Sequence, residues 1–186
     1  MKMKMLLLAM LLAGFAAQAQ IVIRLSVKAV LNPATGFRQS GVSEATFSNT
    51  VAGMNAQLAS FGRGYQFQWN GTLINVGGLN QYATGPSQYY DVDFHASPSL
   101  RLQMDSDAQA DPAAYAWSSS SVNVYVTRYG GANWNVCSFP ANGSIIIVNG
   151  VNGYSSSNTV QHEIGHYFNL SHTMNGEQFL NSDFSS

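Results

Sequence analysis

The chain has 186 residues, 46% of them hydrophobic, so it is long and apolar enough to bury a core and is not a disordered chain. Only 9% are charged and the formal net charge is −1, which leaves no basic field for nucleic acid or an anionic membrane. The single cysteine, Cys137, excludes an intrachain disulfide and any Cys-based zinc finger.

Lys2 and Lys4 precede an uncharged apolar run, Met5 to Phe15. Ala17-Gln18-Ala19 then puts small residues at the positions a signal peptidase reads. This layout predicts a secretory signal peptide over residues 1–19 and an exported, extracellular protein. The run falls short of the roughly 20 residues a spanning helix needs, and no later stretch is longer. Export without a disulfide suits bacterial-style secretion.

Ile21, Ile23, Leu25, Val27 and Ala29 alternate with Arg24, Ser26 and Lys28, which predicts a half-buried strand over residues 21–30. Asn32-Pro33 and Gly36 end it. The period then changes. Phe47, Val51, Met54, Leu58 and Phe61 share a helical stripe, with Ser43 as cap and Gly62 and Gly64 as stop. Tyr65, Phe67 and Trp69 alternate as a second strand, continued at residues 73–76 beyond the Asn70-Gly71 turn. Residues 89–94 read as a strand, and 97–120 as a long surface loop with a short helix. Val122, Val124 and Val126 mark a strand over 121–127, and the wholly apolar 145–148 a buried one. A last helix is expected over residues 158–168. The order predicts an α/β (α+β) fold, one mixed sheet with helices packed on it.

Three of the four histidines fall within residues 162–172. On a helix, His162 and His166 stand on one face a turn apart, where both imidazoles can reach one metal ion. Glu163 follows the first. Its carboxylate can approach a water on the metal as a general base without being a ligand. His172 lies six residues after His166, so the chain must turn first. Asn169 is the expected pivot, because asparagine readily adopts the left-handed conformation that ends a helix. Three protein ligands leave a fourth position open, as in catalytic zinc sites. Val160, Ile164, Tyr167 and Phe168 form the opposite, sheet-facing side, and Gly165 allows a close approach.

The stretch His162-Glu163-Ile164-Gly165-His166, with His172 beyond it, resembles the zinc signature HExxHxxGxxH of the metzincin metalloproteases. Within that clan, Asn169-Leu170-Ser171-His172-Thr173 is similar to the pappalysin-like family. Val122 to Val126, Phe139-Pro140, Gly143 to Val148 and the helix with Met54-Asn55 resemble other segments of that family more loosely. The resemblance implies a metzincin-like fold: a mixed twisted sheet, a long N-terminal helix and a zinc-binding active-site helix. It implies a secreted endopeptidase with residues 20–186 as catalytic domain, zinc held by His162, His166 and His172, and Glu163 as general base. Protein or peptide is the implied substrate, added along the strand near residues 136–139. No nucleic acid or membrane partner is expected, and a monomer is. No motif marks a calcium site, although the resemblance leaves room for one.

Asn169 stands where that family has glycine. Only 14 residues follow His172, and Met174 is too close to it to be the methionine that floors such sites. The expectation is a truncated C-terminal subdomain. Two alternatives stay open: a zinc-binding but inactive recognition domain, and a secreted structural or adhesive module with a polar, low-charge surface. His95, near Asp91 and Asp93, reads as a loop histidine, and Cys137 as a small buried hydrophobe. Sequons occur at Asn70, Asn142 and Asn169.

Overall fold

The computed structural model describes residues 20–128, 136–137, 145–151 and 153–170. The aliphatic run β1 (Ile21–Val30) organises a six-stranded sheet. It pairs in parallel with β2 (Tyr65–Trp69) and β3 (Ile74–Val76) on one side and with β4 (Val122–Thr127) on the other. β4 is parallel to β6 (Ile145–Asn149), and β5 (Val136–Cys137) runs antiparallel to β6 at the end of the order β2-β1-β4-β6-β5. The chain is therefore mixed α/β, as its element order suggests. The expected continuation of β2 at residues 73–76 is present as β3. The turn between them carries Gly71 at φ 82°.

Parallel pairs need crossovers. The first is helix α1 (Glu44–Ser60), capped by Ser43, whose Oγ accepts from Thr46 N at 3.3 Å. Phe47, Val51 and Met54 bury its stripe against Leu25, Val27, Ala29 and Val124. Phe61, expected on that stripe, lies past the helix end and is exposed. Asn55 turns to β2: its amide accepts from Phe67 N at 2.8 Å and donates to Phe67 O at 2.9 Å. That side chain occupies backbone groups a neighbouring strand would otherwise take.

The segment between β3 and β4 corrects two sequence readings. Residues 89–94 form no strand. A short 3-10 helix, Pro86–Tyr89, opens the segment, and Tyr89, Tyr90 and Phe94 are buried. Residues 98–110 form a full helix, α2 (Pro98–Ala110), where a mostly looped surface was expected. Its Met104 and Ala108 pack with Val30, Tyr125, Ile145 and Ile147 on the second face of the sheet. With both faces covered, β4 and β6 are buried along their whole length.

The second cover also buries Lys28, placed by its alternation on the solvent side of β1. Its Nζ donates to Ser26 O at 3.0 Å and to Asn123 Oδ1, and lies 5.1 Å from the centroid of the Tyr125 ring. Burial pulls its pKa down to about 7.

The last helix, α3 (Ser157–Tyr167), matches the expected one within a residue at each end. Ser156 caps it, its Oγ accepting from Thr159 N at 3.3 Å. Three contacts fix it on α1. A Cβ added at Gly53 would stand 3.0 Å from Ser157 Cβ and Oγ, so glycine sets the approach of the two helices. Gln57 Nε2 donates to Asn158 Oδ1. Tyr154, just before α3, donates its hydroxyl to Gly41 O, accepts from Ser43 N at 3.1 Å, and takes Thr50 Oγ1 on its carbonyl at 2.9 Å. The close approach assigned to Gly165 belongs to Gly53 instead. A Cβ at Gly165 would meet Leu170 at an ordinary 3.9 Å.

Candidate metal centre

Helix α3 has two sides of different character. Val160 and Ile164 are buried against the sheet and Tyr167 packs partly against them, whereas Phe168, expected on that side, is 47% exposed. His162 lies on the open side and His166 is half-buried beside it. Their ring centroids are 4.4 Å apart at 83°, and the two Nε2 atoms approach to 2.9 Å. The i, i+4 spacing thus brings the same nitrogen of both rings to one point in space.

The helix then ends as the sequence predicts. Asn169 has φ 64°, the left-handed conformation. Asn169 N donates to His166 O at 2.8 Å and Leu170 N to Gly165 O at 3.0 Å. These are the two bonds of a Schellman stop, with Leu170 folding back beside Gly165. The stop has a second effect, not visible in the motif. It sets Leu170 O 2.9 Å from His166 Nδ1. A carbonyl only accepts, so Nδ1 carries the proton and Nε2 keeps its lone pair. That is the tautomer a metal ligand needs, held by a backbone partner behind it.

Glu163 is 6% exposed. Burial pushes its carboxyl up to about 7, and the Arg101 guanidinium of α2 pulls in the opposite direction. A carboxyl poised near neutrality accepts and releases protons readily. Sequence reasoning missed Arg101 because it lies on a helix read as loop. It missed Leu170 because a carbonyl leaves no mark in residue types.

His172 lies outside the described residues, as do Thr173, Met174, Asn142, residues 1–19 and the Phe139-Pro140 segment. Cys137 belongs to β5, with its side chain outside the description. Among the described residues, no group of three His, Cys, Asp or Glu side chains is placed to hold a metal ion. His95 is exposed in a turn, its amide donating to Asp93 Oδ1 at 3.0 Å. Among the described residues, no helix is long and apolar enough to cross a membrane.

The donor chemistry of the His162–His166 pair fits zinc. Two imidazole nitrogens converge, and at least one is held as an acceptor by its second nitrogen's partner. Zn–N bonds of about 2.0–2.1 Å in a tetrahedral site separate ligand nitrogens by about 3.3 Å, so the rings need to open by only a few tenths of an ångström. Comparison with protein families, with curated protein sequences and with solved structures returns no match.

Proposed function

We propose that the chain is a secreted, metzincin-like zinc endopeptidase, with His162, His166 and His172 as ligands and Glu163 as general base. The observation that carries the reading is the convergence of the His162 and His166 Nε2 atoms at 2.9 Å above a helix stop at Asn169. The stop turns the chain after Asn169, as a third ligand at His172 requires. The histidine spacing in the sequence supplies the rest of the argument.

Zinc held there supplies a Lewis acid that lowers the pKa of a water and polarises a peptide carbonyl. The chain's own residues do the remainder. Leu170 O keeps the proton on His166 Nδ1 and the ring in a fixed orientation. Glu163 takes a proton as water attacks the scissile carbonyl, then gives it to the leaving amine. An extended substrate adds along β5, the last strand in the sheet order.

Glu163→Gln provides the test. It keeps the shape of the side chain and removes the proton acceptor. The expected result is unchanged zinc content with cleavage of an unstructured protein such as casein reduced about 10²–10⁴-fold. Equal cleavage by wild type and variant, or cleavage untouched by a chelator, overturns the reading.

A further inference from the structure

The face of the sheet away from α3 is only partly covered by α2. Arg24, Ser26 and Lys28 alternate onto that face of β1. Lys28 lies under the cover, Ser26 at its margin and Arg24 in the open. Beside Ser26 the sheet has a gap. β2 pairs with β1 only as far as Leu25, and β3 resumes at Lys28. The Asn70-Gly71 turn lies between them, and Asn70 is part of the lining. The gap opens a cleft of about 410 Å³, lined by Arg24, Ser26, Gln68, Thr72, Ile74 and Ser118 among others.

Three properties of this cleft point to a ligand. Its volume falls within the ordinary range for small-molecule sites, roughly 300–1,000 Å³. Its lining holds hydroxyls and amides, one guanidinium and no carboxylate. A buried polar network stands behind the wall: Lys28 Nζ donates to Ser26 O and to Asn123 Oδ1. Asn123 in turn holds Ser118, accepting from its N at 2.9 Å and donating to its O at 2.8 Å. Arg24 and Lys28 have no carboxylate partner among the described residues. One guanidinium without a carboxylate partner thus stands at the rim of a polar recess, on a molecule that is short of charge elsewhere.

We propose that this cleft binds a sugar acid. The carboxylate would pair with the Arg24 guanidinium, which presents a planar fork to it. The hydroxyls would meet Ser26, Gln68, Thr72 and Ser118, and the apolar face of the ring would lie on Ile74. One guanidinium at the rim matches one carboxylate. A phosphate, with three acceptor oxygens and nearly two charges, calls for more donors than the rim provides. The site is separate from the histidine pair and does not depend on the peptidase reading.

Backbone amide NMR titrations of the folded chain at constant ionic strength test this, with D-glucuronate, D-glucose, acetate and inorganic phosphate as probes. The expected result is saturable shifts from glucuronate at residues 26, 68, 72 and 118. Affinity for glucuronate should be at least tenfold higher than for glucose or acetate. Arg24→Ala should lose at least tenfold of it. Arg24 is exposed, so that variant should leave the remaining spectrum unchanged. Glucose binding as well as glucuronate, phosphate binding as tightly, an unaffected Arg24→Ala, or no saturable shift with any probe each overturns the proposal.

Discussion

At the scale of single residues, Asn169 links the helix stop to the candidate metal site. Its φ of 64° costs an ordinary residue roughly 1–2 kcal/mol, less for asparagine and least for glycine. Asn169→Gly should therefore keep or slightly raise stability. Asn169→Val should lower it by about 1–2 kcal/mol. Because the stop also places Leu170 O on His166 Nδ1, Asn169→Val should weaken zinc binding about 10–100-fold, the usual effect of disturbing a ligand's hydrogen-bond partner. Urea unfolding and zinc competition with a chromogenic chelator check the two effects separately. Lys28 gives a prediction of another kind. Its pKa falls from 10.5 unfolded to about 7 folded. Between those values the unfolded chain binds more protons, so stability rises as pH goes from about 7 to about 10. Below 7 both states are charged and the burial penalty is complete. Lys28→Met should be more stable than wild type at pH 7 and flat across that window. Asn123 Oδ1 keeps Ser118 N as a donor in the variant. Urea unfolding at a series of pH values checks it.

At the scale of elements, α3 is positioned by α1 more than by the sequence around its own histidines. Gly53→Val puts atoms where Ser157 now sits, 3.0 Å from the added Cβ. Overpacking of this kind costs about 1–3 kcal/mol and should displace α3. The expected outcome is a lower midpoint of thermal unfolding and weaker zinc binding, both partly restored by adding Ser157→Gly. The elements that were legible in the sequence carry strong local signals. β1, β4 and β6 are rich in branched aliphatics, α1 has a stripe and a cap, and the Asn169 stop follows from backbone preference. The α2 helix was not legible because it buries only Met104 and Ala108 among its apolar residues, in a run dominated by Ser, Asp and Gln. Tyr89 and Phe94 look like strand residues because aromatics favour strands, yet here they fill the space under a turn.

At the scale of the whole molecule, the sheet is covered twice, and the second cover explains the remaining surprises. Alternation along β1 correctly assigns Leu25, Val27 and Ala29 to one core but cannot reveal that α2 buries Lys28 on the other. That depends on a helix some 70 residues away. The same incomplete cover leaves the Arg24 cleft open. The candidate metal site was legible as a set of residue types at fixed offsets. Its supports come from remote chain and from a backbone carbonyl: Arg101, Gly53, Tyr154 and Leu170 O. Zinc binding is the premise on which the peptidase reading rests. Elemental analysis of the purified, folded chain beside His166→Ala measures it most directly. About one zinc per chain in the wild type and almost none in the variant is the expected result. A wild-type chain that is folded by circular dichroism and carries no zinc would contradict it.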